Sequence, residues 1–97
     1  MDTPEEILNE IDKKIRLRIL KEKKAMRTYI EGIEKFFDEE KIAIIMKKLK
    51  IKLSTGYYRR VEGVMIGHGF NGDHKERIRD ILIKEYEIPA NKIIMLA

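Results

Sequence analysis

The sequence predicts an α/β (α+β) fold: a two-layer sandwich in the order β-β-α-β-β-α-β, with two helices on one face of a mixed, mostly antiparallel sheet. Three observations support this fold. Apolar and polar residues alternate in the first third of the chain, two later segments carry apolar stripes at helical spacing, and turn signals separate the remaining strand-like segments. A chain of 97 residues has room for one core, so we expect residues 13–97 to form a single domain.

The first two strands are predicted within residues 14–33, KIRLRILKEKKAMRTYIEGI. Apolar residues alternate with arginines from Ile15 to Ile19, and a second alternation extends from Met26 to Ile30. A period of two is typical of half-buried strands. The segment between them, Lys21 to Ala25, is predicted to be the exposed loop of a hairpin.

The first helix of the sandwich is predicted to follow Asp38, a favourable N-cap residue, with Glu39 and Glu40 in the first turn. Its apolar residues recur at spacings of three and four, which predicts one buried stripe. They are Ile42, Ile45, Met46, Leu49 and Leu53. Lysines occupy the other side, and Gly56 is predicted to end the helical region.

Two further strands are predicted at residues 57–61 and 64–70, joined by a turn at Glu62-Gly63. Asn71-Gly72 ends the second of them, and Asp73 is predicted to cap a helix, with Glu76 completing a capping box. The buried stripe of this helix is predicted to be Ile78, Ile81, Leu82 and Tyr86.

The end of the chain is predicted to form one more strand. Pro89 prevents the second helix from continuing beyond Ile88, and residues 92–96 are mostly apolar. The pattern leaves open where this strand joins the sheet.

The first twelve residues form a separate acidic segment. Thr3-Pro4-Glu5-Glu6 is a helix-start signal, and Ile7, Leu8 and Ile11 would share one face of the helix. A helix this short is marginal alone. Residues 1–12 are therefore expected to be a helix only if that face docks, and otherwise an acidic tail.

The charge of the chain is distributed unevenly. Residues 1–12 carry a net charge of −5, residues 13–60 carry +10 and residues 61–97 carry −1. A strongly basic segment suggests a nucleic-acid partner, although a solvated lysine-rich surface is the alternative. The chain has no cysteine, no apolar run long enough to span a membrane and no basic leader, so we expect a cytoplasmic protein without a membrane partner.

Catalytic and metal-binding chemistry have little support in the sequence. His68 and His74 are the only histidines, and no serine, threonine or acid stands at a spacing that marks a nucleophile or a metal site. His68 is expected to be a surface group. We therefore predict no enzymatic activity, no cofactor and no metal.

Basic residues of the hairpin and the first helix are instead predicted to bind RNA through its phosphates. The candidate residues are Lys21, Lys23, Lys24, Arg27, Lys47, Lys48, Lys50 and Lys52. Tyr29, Tyr57 and Tyr58 are the aromatic residues expected to be exposed, and ordinary packing is the alternative for the last two. So few aromatic residues favour recognition of RNA shape and backbone over reading of bases.

Three segments, in this order, resemble the translation initiation factor 1 family across residues 13–96. Residues 71–78, NGDHKERI, are similar to the family's Q-G-D-x-R/K-x-x-I/V segment, with Asn71 in place of Gln. Residues 47–53, with Gly56 after them, resemble the basic first helix and the turn that follows it. Residues 15–33, which close with Glu31-Gly32-Ile33, resemble the first hairpin.

This resemblance implies a function in translation initiation. Members bind the small ribosomal subunit near the P site through the hairpin tip and first helix, promote scanning and oppose pairing at non-start codons. It also implies that the RNA-binding residues named above contact rRNA, that Gly72 and Asp73 build the start of the second helix, and that initiator tRNA and other initiation factors are indirect partners. We expect a monomer.

The chain also departs from the family pattern. The hairpin lacks an Asn-Gly turn and contains Glu22, and residues 61–64 do not match the acidic, proline-containing loop that faces initiator tRNA in relatives. The N-terminal cysteine cluster of some archaeal relatives is absent, which predicts no zinc. A general RNA- or protein-binding module of the same fold, with a role in reinitiation, recycling or regulation, is the alternative function.

Overall fold

The computed structural model describes residues 13–96 of the chain. The predicted N-terminal helix or tail, residues 1–12, lies outside the described residues. The strands are β1 (Ile15–Glu22), β2 (Ala25–Glu31), β3 (Tyr57–Glu62), β4 (Met65–Asn71) and β5 (Ile93–Met95), and the helices are α1 (Glu39–Leu53) and α2 (Lys75–Tyr86). Short 3-10 turns at Ile33–Lys35 and Ala90–Lys92 precede α1 and β5.

The five strands form one sheet in the order β3-β4-β2-β1-β5. Neighbouring strands are antiparallel except β1 and β5, which are parallel. The predicted mixed, mostly antiparallel α+β sandwich is confirmed. The position of the last strand, which the sequence left open, is the edge beside β1, where Ile93 pairs with Ile15.

Strand direction brings several turns to one end of the sheet, which we call the hairpin end. β1 and β4 both run towards it, so the β1–β2 turn and the β4–α2 connection lie there. Because Tyr57 at the start of β3 pairs with Phe70 near the end of β4, the end of α1 also lies at this end of the sheet. The β3–β4 turn lies at the opposite end.

The two helices cover the same face of the sheet. Ile15, Leu17, Ile30 and Phe70 point into this layer and are fully buried. They pack in one cluster with the buried side chains of both helices. Removing these apolar groups from water is the main stabilising contribution to the fold, at roughly 1.5–3 kcal/mol for each fully buried side chain.

Helix α1 has the buried stripe predicted from the sequence, and Asp38 is its N-cap. The Asp38 carboxylate accepts a hydrogen bond from the Lys41 backbone N–H at 2.8 Å. The predicted C-terminal end of α1 was wrong in detail. Ser54, with a φ of 52°, is the left-handed residue that ends the helix, whereas Gly56 does not adopt a positive φ.

Helix α2 begins two residues after Asp73, so the predicted capping box is wrong. The N-cap residue is His74, and its side chain makes no capping hydrogen bond. Asp73 Oδ1 accepts only a long contact, 3.4 Å, from the Lys75 backbone N–H. Of the predicted stripe, Ile78 and Leu82 are buried, while the two remaining members pack against the core from half-buried positions.

The β1–β2 hairpin is longer and tighter than predicted. Pairing continues to Glu22 and Ala25, so the turn consists only of Lys23 and Lys24. Lys23 adopts a left-handed φ of 54°. Lys21, which was predicted to lie in the loop, is the penultimate residue of β1.

No helix among residues 13–96 combines the length and the hydropathy that crossing a membrane requires.

Candidate nucleic-acid interface

The lysines of the hairpin lie at its extremity and are exposed. Lys23 and Lys24 form the turn, and Lys21 precedes it on the face that the helices cover. Met26 pairs with Lys21 and remains 47% exposed. We call Lys21, Lys23 and Lys24 the lysine tip.

Arg27 does not lie at the tip, in contrast to its predicted position. It lies on the open face of the sheet, and its guanidinium stacks on the Tyr58 ring at 3.8 Å. Its Nη1 is 3.0 Å from a Glu22 carboxylate oxygen, and its Nε donates to the Asn71 side-chain oxygen at 3.2 Å. These three partners hold the guanidinium on the open face of the sheet, and the two hydrogen bonds use two of its five N–H groups.

The lysines of α1 point in different directions around the helix. Lys47, Lys48 and Lys50 are exposed, and we call them the helix flank. Lys52 instead forms an ion pair with Glu85 on α2. Two of the eight predicted RNA-binding residues, Arg27 and Lys52, are therefore already paired within the domain.

Topology brings the lysine tip and the helix flank towards one end of the molecule. α1 runs towards the hairpin end, and its lysines lie in its second half. At 1.5 Å per residue, Lys47 lies only about 9 Å along the axis from the end of the helix at Leu53. Within residues 13–96, none of the six lysines in the two groups forms an ion pair with a carboxylate. Their charge is available to an external anion.

The Asn71-Gly72 segment attaches the hairpin to the start of α2. The Gly72 N–H donates to the Met26 carbonyl at 2.7 Å. The buried Thr28 hydroxyl donates to the Gly72 carbonyl at 2.6 Å and accepts from the His74 N–H at 2.9 Å. These three bonds fix the base of the hairpin relative to α2.

Gly72→Ala is expected to destabilise the domain by about 1–2 kcal/mol, since Gly72 has a φ of +99° and a side chain raises the cost of a left-handed conformation. A Cβ there would also lie 2.9 Å from the His74 ring. Urea unfolding measures the loss. Gly63→Ala is the matched control, because Gly63 also has a positive φ but no atom within 4 Å of an added Cβ. Equal losses in both variants would show that the His74 contact contributes nothing.

His68 is buried, so the expectation of a surface group was wrong. The Tyr57 hydroxyl and His68 Nδ1 form a hydrogen bond, and the two rings stack with centroids 5.8 Å apart. Burial, and to a smaller degree the charge of Arg59, lowers the pKa of His68 below its ordinary value. This pair is part of the packing between β3 and β4.

The depressed pKa of His68 predicts that stability falls as the medium becomes acidic. Above pH 6.5, the ordinary pKa, the ring is neutral in both states and stability is complete. Below it the unfolded chain binds a proton that the folded chain does not, so the free energy of unfolding decreases by up to about 1.4 kcal/mol per pH unit until the folded pKa is reached. His68→Asn, which offers Tyr57 an uncharged acceptor, is expected to reduce this slope in urea titrations between about pH 5 and pH 7.5. His74→Asn is the control, and an unchanged slope in His68→Asn would contradict the assignment.

Tyr29 was predicted to be exposed but is 2% exposed. Its ring lies on the open face of the sheet over Gly69 and Gly67, where an added Cβ at Gly69 would approach it to 2.5 Å. Its hydroxyl donates to Glu22 at 3.2 Å. Glycines on a neighbouring strand create the space for this ring, and only the pairing of β2 with β4 brings them beneath it.

Sequence reasoning also missed the arginines outside the hairpin loop and α1. Arg16 and Arg18 lie on the open face, and Arg60 bonds to Glu22 at 3.0 Å on the same face. Arg59 points to the opposite face, towards His68. Alternation along each strand signals these directions, but the number of carboxylates beside each arginine depends on strand pairing.

Within residues 13–96, no group of three or more histidines, cysteines or acids is placed to hold a metal ion. The structure thus defines a class of protein: a small α+β sandwich with six exposed lysines near one end, none of which forms an ion pair with another residue of the described part of the chain.

Comparison with known proteins identifies the family. No family model matches the chain. It is 35% identical over 91 residues to a protein translation factor SUI1 homolog of Pyrococcus furiosus, an alignment covering 80% of this chain and 86% of the relative. It is 36% identical over 89 residues to the SUI1 homolog of Pyrococcus abyssi, covering 78% and 84%. The chain belongs to the SUI1 family, the translation initiation factor 1 family that its sequence resembles.

Proposed function

We propose that this protein is a non-enzymatic, cytoplasmic initiation factor that binds the small ribosomal subunit near the P site and promotes scanning and accurate start-codon selection. The observation that carries the proposal is the set of six lysines, in the lysine tip and the helix flank, that face solvent near one end of the domain. The SUI1 homologs to which the chain is similar are named as translation factors.

Phosphate neutralisation is the proposed source of affinity. A two-residue turn at the extremity of a paired hairpin can enter a groove of folded rRNA, while the lysines of α1 contact the phosphates beside it. Each neutralised phosphate releases counterions, so affinity falls steeply as salt rises. Arg27 contributes little in this proposal, because its guanidinium is held by Glu22, Asn71 and Tyr58.

Start-codon selection then follows from a difference in affinity between two states of the initiation complex. A domain anchored beside the P site opposes full accommodation of initiator tRNA until correct codon pairing compensates for its displacement. We call the complex closed when initiator tRNA is fully accommodated and open before that. Only stronger binding of the factor to the open complex than to the closed complex can produce this effect.

The β3–β4 turn, residues 61–64, is not the proposed discriminating element. It has one carboxylate, Glu62, and its Val64 side chain is fully exposed. It lies at the opposite end of the sheet from the lysine tip. We therefore attribute discrimination between start and non-start codons to steric exclusion by the domain, and not to charge repulsion from this turn.

Footprinting on purified small subunits, with and without initiator tRNA and a start codon, tests the proposal. We expect protection of rRNA near the P site that decreases when tRNA pairs with a start codon. Protection that is equally strong with both present would contradict the role in selection. Equal affinity for subunits and for unrelated duplex RNA would favour the alternative, a general RNA-binding module.

A further inference from the structure

A groove lies between α1 and the β3–β4 half of the sheet. Its volume is about 660 Å³, within the range of about 300–1,000 Å³ that is typical of pockets for small ligands. Ile42 and Met46 of α1 and Ile66 of β4 provide apolar surface, and Tyr57 and His68 lie beside them. The groove is therefore an apolar and aromatic recess in the surface of the domain.

Cations line the part of the groove beside the second half of α1. Lys47 and Lys50 stand three residues apart, which places them on the same side of the helix. Arg59 contributes from β3 and is exposed. Within residues 13–96, none of these three side chains forms an ion pair with a carboxylate. This part of the groove therefore favours an anionic group such as phosphate.

His68 is a polar side chain of the groove that is almost fully enclosed. It is 6% exposed, and its Nδ1 is hydrogen-bonded to the Tyr57 hydroxyl. No hydrogen bond within residues 13–96 uses its Nε2, which is therefore available to a polar group of a ligand. Burial lowers the pKa of His68, so the ring is neutral above pH 6.5 and is better suited to the edge of a base than to a phosphate.

The part of the groove at the start of α1 is acidic. Glu34 and Glu39 line it, and carboxylates accept hydrogen bonds but donate none. They oppose a second anion at this position, whereas an uncharged N–H donor such as the exocyclic amino group of a base suits them. A phosphate site, an apolar and aromatic surface and an acceptor for an amino group thus follow one another along the groove.

We infer that the groove binds one unstacked nucleotide of an RNA strand, whose base carries an exocyclic amino group. The base lies on the apolar surface of Met46 and Ile66 beside Tyr57, its amino group faces Glu34, and its phosphate lies among the three cations. Bases that leave a single strand are commonly recognised by contact with aromatic side chains and by hydrogen bonds to their edges.

The position of the groove favours RNA over an acidic peptide. Lys47 and Lys50 belong to the helix flank, so an RNA strand held there passes the cationic part of the groove. This step rests on the proposed function. An acidic peptide long enough to follow the groove would bring carboxylates close to Glu34 and Glu39, where like charges oppose binding.

Titration of the full-length protein with tetra-adenylate, a single-stranded tetranucleotide, tests the inference without a ribosome. A base in the groove is expected to shift the methyl NMR signals of Met46 and Ile66 through its ring current. Leu20 and Ile94, on the open face of the sheet, are internal controls. Inorganic tripolyphosphate carries negative charge without a base and is expected to leave all four signals nearly unchanged. The absence of a shift with tetra-adenylate, or an equal shift with tripolyphosphate, would overturn the inference.

Reversing one charge of the groove tests the phosphate contact. Arg59→Glu is expected to weaken tetra-adenylate binding by roughly tenfold or more at low salt, because a like charge replaces a phosphate contact. Arg77→Glu is the matched control, since Arg77 is exposed on α2 outside the groove and the net charge changes equally. Equal weakening in the two variants would show that net charge alone governs binding, and the site would then not exist.

Two pyrimidine tetranucleotides test recognition of the amino group. Tetra-cytidylate and tetra-uridylate have similar rings, but only cytosine presents an amino group where uracil presents a carbonyl oxygen. We expect tetra-cytidylate to bind several-fold more tightly and Glu34→Ala to remove the difference. Equal affinity of the unaltered protein for both would contradict the role of Glu34 and the stated class of base.

Other occupants are outcomes of the same titration. Stronger binding of a synthetic peptide that alternates leucine and glutamate would assign the groove to a protein partner. Equal affinity for adenosine monophosphate would assign it to a free nucleotide, and either result would overturn the inference. Subunit affinity is measured separately. Subunit binding without tetranucleotide binding would therefore overturn this inference alone, and the reverse result would overturn the proposed function alone.

Discussion

Reversing both charges in the hairpin turn, with Lys23→Glu and Lys24→Glu, is expected to weaken binding to the small ribosomal subunit by roughly 10- to 100-fold at about 0.1 M salt. Both side chains are exposed, and neither forms an ion pair within the described part of the chain. Losing two phosphate contacts reduces the slope of log affinity against log salt by about 2, which sets the size of the effect.

The matched control reverses two lysines at the opposite end of the domain. Lys35→Glu with Lys84→Glu changes the net charge by the same amount, and both residues are exposed. Affinity and salt dependence are measured by titration of labelled protein with purified subunits. Equal losses in the two double variants would mean that net charge alone governs binding, and the lysine tip would then have no specific role.

Thr28→Val is expected to destabilise the domain by about 2–3 kcal/mol, because the His74 N–H and the Gly72 carbonyl would both lose a partner in a half-buried environment. The Thr28 hydroxyl makes these bonds at 2.9 and 2.6 Å, and the side chain is completely buried. Valine has nearly the same shape, so the change removes hydrogen bonds without leaving a cavity.

Thr28→Ser is the comparison variant, since it keeps the hydroxyl and removes only a methyl group. Urea unfolding is expected to show a smaller loss for serine than for valine. Hydrogen exchange at the His74 amide, which donates to the Thr28 hydroxyl, locates the effect. If valine proves less destabilising than serine, burial of the methyl group and not the hydroxyl would account for the role of Thr28.

Local patterns were sufficient for the helices and for the first hairpin. The stripe from Ile42 to Leu53 is buried as its spacing predicts, because α1 contacts the sheet along one side only. The alternation in β1 and β2 likewise predicts which residues face the core. The same patterns placed the ends of elements less well, since Ser54 and His74 adopt terminal conformations that their residue types do not signal.

The candidate interface was predictable in composition but not in arrangement. The lysines of the turn and of α1 are exposed, as expected of long charged side chains. The pairing of Lys52 with Glu85, and of Arg27 with Glu22 and Asn71, depends on residues that are distant in sequence or brought together by strand register. No local pattern specifies such partners.

The sequence by itself determined the order of strands and helices, the core-facing sides of both helices and of the first hairpin, and the basic character of the middle segment, because periodicity and charge are properties of neighbouring residues. Only the tertiary structure decided that β5 joins the sheet beside β1, that Tyr29 and His68 are buried, and which lysines stay unpaired at the hairpin end. These outcomes depend on contacts between segments that are distant in sequence. A glycine on one strand leaves room for a ring on the next, and a carboxylate on another element decides whether a lysine or arginine is paired.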